Sequence, residues 1–241
     1  LWLLAETGSG SFTMVVPLLD AGTRFSLRGS TDGLAVVAET GDPAVVGTGG
    51  VALYVATGDD PFALAETGAR EVQRLLDSGR LRVDKPSPDF IDLFGWCTWD
   101  AFYKDVSADK VMAGLSSFAR AGVPPRLLIL DDGWQTWQRT PTGEDRLVSL
   151  APNAGRFGGD LTPLVQAAKT QFGVQRFMVW HALLGYWGGL DEQTLPGYGT
   201  RTVARSFGPG LLEQQPRWNV EPWGAQVGVP AAEQLARFYD D

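Results

Sequence analysis

Three short stretches set acids or a histidine beside indoles. They are Trp99-Asp100, directly after Phe94-Gly95-Trp96-Cys97-Thr98; Asp131-Asp132-Gly133-Trp134, directly after Leu127-Leu128-Ile129-Leu130; and Trp180-His181, followed closely by Tyr186-Trp187-Gly188-Gly189. A carboxylate accepts charged hydrogen bonds of about 1.5–3 kcal/mol each. An indole adds a flat apolar wall with a single polar edge. A sugar needs both, because its hydroxyls want charged acceptors and its C–H faces want an aromatic surface. Trp99, Asp100, Asp131, Asp132, Trp134, Trp180 and His181 are therefore the expected substrate-binding residues. Trp96 lies three residues before Trp99, so on a strand the two face opposite sides and Trp96 is expected in the core.

Other chemistries have less to work with. His181 is the sole histidine and Cys97 the sole cysteine. A catalytic cysteine would need that histidine as its base, and an apolar strand is where an inert buried thiol belongs. Asp131, Asp132 and His181 could ligate a divalent ion, but no second histidine stands at ligand spacing, so no metal and no cofactor are expected. A histidine after an apolar strand can equally be a satisfied structural group, and both roles stay open for His181. Trp137, Trp218 and Trp223 could be core aromatics.

The elements that must position these residues follow from periodicity. An apolar run such as Leu127–Leu130 predicts a strand covered on both faces. Strands are expected over 94–99, 126–130 and 174–180. A helix capped by Ser107 should carry Val111, Leu115 and Phe118, and another should run from Asp160 to about Phe172. Residues 135–159 read as a polar excursion. Strand–helix alternation implies right-handed βαβ units and a parallel sheet. A doubly wound sheet and a (β/α)8 TIM barrel both fit. No G-x-G-x-x-G loop follows the first strand, and barrels place their chemistry at the C-terminal strand ends, where these residues fall. A barrel takes about 250 residues. Three strands after residue 91 thus make its first half.

Residues 1–58 differ. They are rich in Gly, Thr, Val and Asp, with probable strands over 13–19, 34–38 and 51–55, and turns at Asp32-Gly33 and Gly41-Asp42-Pro43. This is an antiparallel sheet or a partial β-sandwich. Asp59-Asp60-Pro61 should open a helix with Phe62, Leu64, Val72, Leu75 and Leu76 on one stripe. The stiff segment 84–89, with Pro86 and Pro88, is the expected domain boundary. The organisation expected is 1–58 partial sandwich, 59–90 connecting helix and linker, 91–241 half-barrel.

The chain has 241 residues, 44% hydrophobic and 20% charged, with a formal net charge of -8. The negative charge argues against nucleic acid as a partner. No apolar run approaches the roughly 20 residues that span a bilayer. A lone cysteine leans the compartment towards the reducing cytoplasm rather than the secreted route. Leu1 is not an initiator methionine, and a helix begun near Pro230 runs into Asp241, so the chain reads as a fragment. Oligomeric state is not legible.

The stretches Phe94-Gly-Trp-Cys-Thr-Trp-Asp-Ala-Phe-Tyr103, Gly122-Val-Pro-Pro-Arg-Leu-Leu-Ile-Leu-Asp-Asp-Gly-Trp-Gln135 and Val179-Trp-His-Ala-Leu-Leu-Gly-Tyr-Trp-Gly-Gly189 closely resemble the raffinose synthase and seed imbibition protein group, within the α-galactosidases of glycoside hydrolase family 36. The resemblance implies a β-sandwich followed by a barrel and retaining, metal-free chemistry on α-galactosides. It implies that Asp131 and Asp132 hold galactose hydroxyls while Trp99 and Trp180 shape the subsite. Retaining enzymes set a nucleophile and an acid/base about 5–5.5 Å apart. The family's nucleophile lies in a Lys-x-Asp motif on the fourth barrel strand. The last lysine here is Lys169, before the third strand, so that motif has no counterpart and no nucleophile or acid/base is assigned. Asp191, Glu192, Glu213, Glu221 and Glu233 lack the matching context. The resemblance leads to a fragment of an α-galactosidase or galactosyltransferase, inactive alone. The alternatives are a non-catalytic galactoside-binding module and, more remotely, a metal-dependent barrel hydrolase.

Overall fold

The structure is a computed structural model that describes residues 2–8, 10–41, 44–204 and 226–241. Of the features expected from sequence, Asp42 and Pro43 of one turn, Glu213, Trp218, Glu221 and Trp223 lie outside the described residues. The chain divides into two compact units, with the break between Ser87 and Pro88.

The first unit contains two antiparallel three-stranded sheets. β1 (Leu3–Glu6), β2 (Phe12–Pro17) and β6 (Leu53–Gly58) form one, in the order β1-β2-β6. β3 (Leu19–Asp20), β4 (Thr23–Ser30) and β5 (Gly33–Glu39) form the other, in the order β3-β4-β5. Pairing of Ser30 with Gly33 leaves Thr31 and Asp32 as a two-residue hairpin turn, the shortest link between antiparallel strands. β1 escapes the sequence reading because it is only four residues long, and β4 because charged and polar residues interrupt its apolar positions. Helix α1 (Pro61–Leu76) begins as its sequence dictates: Asp60 Oδ1 accepts from the Phe62 and Ala63 N–H groups at 2.8 and 3.2 Å, and Pro61 occupies the first turn. Leu64 and Gly68 are its buried positions, whereas Phe62 and Leu75 are exposed and so lie off the stripe expected for them.

The second unit is organised by three parallel strands, β7 (Gly95–Cys97), β8 (Leu127–Leu130) and β11 (Arg176–Val179), in the order β11-β8-β7. Gly95, Leu127 and Arg176 stand in register, so all three strands leave the sheet at the same edge. Helices α3 (Ala108–Arg120) and α5 (Thr162–Phe172) supply the crossovers. Ser107 caps α3 by accepting from the Lys110 N–H at 3.3 Å. Val111 and Leu115 of α3, Leu164 and Ala168 of α5, and Leu128 and Leu130 of β8 are buried together. Leu127 and Ile129, on the opposite face of β8, are only half-buried. Full coverage was expected on both faces, and the structure gives it on one.

Two further expectations need correction. The first strand ends at Cys97, not Trp99. The Thr98 N–H still donates to the Ile129 carbonyl at 3.1 Å, but the chain then coils into a one-turn helix, α2 (Trp99–Phe102). Trp99 and Asp100 therefore stand on a helical turn above the strand end. Trp96 does enter the core, and α3 approaches it so closely that a Cβ on Gly114 would overlap its ring. The polar excursion is also not a plain loop. It holds an antiparallel hairpin, β9 (Gln135–Arg139) with β10 (Asp145–Pro152), followed by the short helix α4 (Ala154–Phe157). Its pairing is irregular, with register shifts between Leu147 and Ser149 and between Ser149 and Pro152.

Beyond β11, β12 (Arg201–Ala204) pairs antiparallel with β13 (Gln226–Val229), and helix α6 (Leu235–Asp240) follows. Leu147, Tyr186, Leu190, Tyr198 and Phe238 form a second apolar cluster. Among the described residues no helix is long and apolar enough to cross a membrane.

Candidate active site

The site is built where β7, β8 and β11 end. The Thr98 hydroxyl, fully buried, accepts from the Asp131 N–H at 3.0 Å, and the Trp180 N–H donates to the Leu130 carbonyl at 2.8 Å. These bonds align the chain as it leaves each strand, so Asp131 lies between its neighbours. Its Oδ2 accepts from Cys97 Sγ at 2.9 Å and its Oδ1 from the Asp132 N–H at 2.6 Å. Cys97 was expected as a buried thiol, but it is exposed and serves as a donor to Asp131. Partial desolvation of its sulfur, the hydrogen bond to Asp131 and the nearby negative charges hold its pKa above the ordinary value, which keeps the thiol protonated.

Asp132 turns the other way. It is 2% exposed, and both oxygens are engaged: the Tyr186 hydroxyl donates to Oδ1 at 2.7 Å and Trp187 Nε1 donates to Oδ2 at 3.0 Å. Burial and this bond to Asp132 push the Tyr186 phenol far above its usual pKa, so it remains a donor. Lys104 Nζ lies 4.0 Å from Asp132 Oδ2 and 3.7 Å from Asp145 Oδ2, over the rings of Trp137 and Tyr186. Arg139 pairs with Asp145 at 2.8 Å. The hairpin thus brings Trp137 and Asp145 to the site, and Trp137 stacks on Tyr186 with centroids 5.4 Å apart.

Gly133 makes this turn possible. Its φ is +113°, and a Cβ there would stand 2.5 Å from the Lys104 carbonyl oxygen. Arg156 locks the approach by donating to the carbonyls of both Lys104 and Gly133.

The expected residues are not all placed alike. Asp131, Asp132, Trp134 and Trp180 are brought together. Trp134, however, is buried in the helix-covered core, and its Nε1 donates to the Trp180 carbonyl at 2.7 Å, tying β8 to β11 rather than offering a ring face. Trp99 packs edge-on against Tyr103, and Asp100 is exposed on the α2 turn. His181 packs against Phe238 and Tyr239, with centroids 5.5 and 6.5 Å away. Of its two open roles the packing favours the structural one. Among the described residues no group of three or more His, Cys, Asp and Glu side chains is disposed to hold a metal ion.

Sequence reasoning missed Lys104, Asp145 and the coupling of Asp132 to Tyr186 and Trp187. Only the crowding of Tyr186-Trp187 after the third strand signalled the last of these.

A family model described as raffinose synthase or seed imbibition protein Sip1 matches residues 5–241. The chain belongs to that family. Among curated raffinose synthase-family relatives, a probable galactinol–sucrose galactosyltransferase 6 of Arabidopsis thaliana is 33% identical, over 98% of this chain and 34% of its own length. A galactinol–sucrose galactosyltransferase of Oryza sativa subsp. japonica is 35% identical, over 86% of this chain and 29% of its own length. The chain therefore spans about a third of these relatives. A solved GH36 α-galactosidase, AgaB of Geobacillus stearothermophilus, is 15% identical with a TM-score of 0.43, covering 95% of this chain and 30% of that one.

His181 yields a pH prediction. Burial lowers its pKa below 6.5, with an opposing contribution from a backbone hydrogen bond at Ala182. The unfolded imidazole takes up its proton first as pH falls, so the stability due to neutral His181 is present above about pH 6.5 and is lost as pH drops through the folded pKa. His181→Gln should flatten the fall in melting temperature between about pH 7 and 5.5 relative to the unsubstituted chain. Parallel pH profiles for the two proteins would refute it.

Proposed function

We propose that this chain supplies the sugar-binding strand ends of a retaining α-galactosidase or galactosyltransferase that acts on α-galactosyl oligosaccharides. The finer architecture proposed is a partial β-sandwich over 1–58, a connecting helix and linker over 59–90, and the first half of a (β/α)8 barrel over 91–241. The observation that carries the reading is the adjacency of Asp131 and Trp180 at one edge of three parallel strands, in a chain whose family relatives include galactinol–sucrose galactosyltransferases. Substrate contacts are assigned to Asp131, Asp132 and Trp180, with Trp99 and Asp100 flanking from α2. Trp134 ties the two strand ends together through the Trp180 carbonyl, and His181 packs against Phe238.

The acids of the described site bind and orient the sugar. They do not provide the pair of opposed carboxylates that double displacement requires, since Asp131 and Asp132 are neighbours committed to internal donors. Nucleophilic attack then belongs to a Lys-x-Asp motif, which this chain lacks. The choice between water and a sugar hydroxyl as acceptor would follow from the groups around that motif.

The test is calorimetric titration of this chain with raffinose and an aryl α-galactoside, alongside a turnover assay. Saturable binding without turnover is expected, together with loss of binding in Asp131→Ala. Absence of binding to any α-galactoside would overturn the reading. Turnover by this chain would overturn the assignment of the nucleophile.

A further inference from the structure

Among the described strands, β5 is the outer one of its sheet and pairs with β4 alone. Ser30 and Gly33 flank a two-residue turn, so they exchange both backbone hydrogen bonds. Bonded pairs then recur at Arg28–Ala35, Ser26–Val37 and Arg24–Glu39. Gly33, Ala35, Val37 and Glu39 thus direct their backbone groups to β4. Leu34, Val36 and Ala38 turn theirs outward, and among the described residues no hydrogen bond meets them. The side chains of these three residues share one face with Phe25 and Leu27, which stand opposite Ala38 and Val36, so the open edge borders an apolar stripe. Leu34 is 55% and Val36 46% exposed. Native edge strands are blunted by a lysine, a proline or a bulge that blocks pairing. Across Gly33–Glu39 β5 has none of these, and its register with β4 is unbroken.

We propose that β5 pairs antiparallel with β5 of a second copy of this chain, about a two-fold axis through Val36, to form a closed homodimer. Val36 then faces the partner's Val36 and Leu34 faces the partner's Ala38, so every outward N–H and carbonyl of the three residues finds its complement. Shifting the axis by one residue leaves one of the three facing a position beyond β5. Charge permits the pairing. Glu39 falls opposite the partner's Gly33 and is neutralised by Arg24 at 2.7 Å, so no carboxylate directly faces another. The two apolar stripes become one across the axis. A foreign peptide would need pockets for its alternate side chains, and β5 offers the projecting Leu34 and Val36 instead. The strand fits its own copy. Nothing in the pairing depends on the sugar-binding reading.

The experiment is analytical ultracentrifugation of the chain over a dilution series, with amide hydrogen exchange read at Val36. A monomer–dimer equilibrium is expected, with the Val36 N–H protected in the dimer alone. Val36→Lys sets two ammonium groups opposite each other and should raise the dimer dissociation constant at least about tenfold. Val36→Glu should do the same, yet an equimolar mixture of the two variants should dimerise again, because residue 36 meets residue 36. Val36→Pro removes an outward N–H and leaves the β4 ladder intact, so it should give a monomer with unchanged circular dichroism. A chain that stays monomeric at every concentration overturns the proposal, as does a dimer that Val36→Lys and Val36→Pro leave intact. No recovery on mixing overturns the axis at Val36. A protected Val36 N–H in a monomer would give the edge to another segment of the same chain and overturn the second copy as its occupant. A Thr-Val repeat peptide that dissociates the dimer as well as a Gly33–Glu39 peptide does would overturn self-recognition in favour of extended chains in general.

Discussion

Asp132→Ala is expected to destabilise the second unit by about 3–5 kcal/mol and to remove galactoside binding with it. The carboxylate accepts from the Tyr186 hydroxyl and the Trp187 indole, and a hydrogen bond to a charged group contributes about 1.5–3 kcal/mol. Truncation leaves the Tyr186 hydroxyl buried without an acceptor and deprives Lys104 of one of its two carboxylates. Asp132→Asn behaves differently. Its amide oxygen can accept from Trp187 while the Tyr186 hydroxyl rotates to accept from its nitrogen, so the fold should survive within about 1 kcal/mol. In a protein that also carries the Lys-x-Asp motif, the same change should lower activity on an aryl α-galactoside by orders of magnitude. Urea melts of the two variants check the first claim, and an Asp132→Ala midpoint equal to that of the unsubstituted chain would refute it.

Gly133→Ala is the second large effect. At φ +113° an L residue is strained, at about 1–3 kcal/mol, and the added methyl would also press on the Lys104 backbone. The atoms that a Cβ would meet are main-chain atoms of Lys104, whose carbonyl is held by Arg156, so no flexible side chain can yield. The turn carrying Asp131 and Asp132 must shift, with a loss of more than about 2 kcal/mol and of sugar binding. Gly143→Ala is the control, because its φ of +95° is also left-handed but a Cβ there meets nothing within 4 Å. Comparable midpoints for the two alanine variants would show that the close approach to Lys104 contributes nothing.

Both effects centre on a turn that the sequence marks clearly. Leu127–Leu130 is apolar enough to be a buried strand, and the abrupt change to Asp-Asp-Gly can only be its end. The Ser107 cap and the Val111 and Leu115 stripe likewise follow from local rules, since each satisfies a backbone donor or a 3.6-residue period without help from elsewhere. The β9–β10 hairpin was illegible for the opposite reason: its residues are stabilised by partners across the pairing and by Tyr186, far away in sequence.

The sequence by itself determined the parallel βαβ order, the edge at which the acids emerge, the family and the pairing of acidic with indole side chains at that edge. These depend on residue type and short-range spacing, which any single segment carries. Tertiary structure alone decided which side chains share that edge and how. It turned Asp132 inward to Tyr186 and Trp187, sank Trp134 into the core, drew Cys97 to Asp131 and sent His181 to Phe238. Such choices are made by contacts between residues tens of positions apart, where burial and unpaired donors compete. No local pattern records the outcome of that competition.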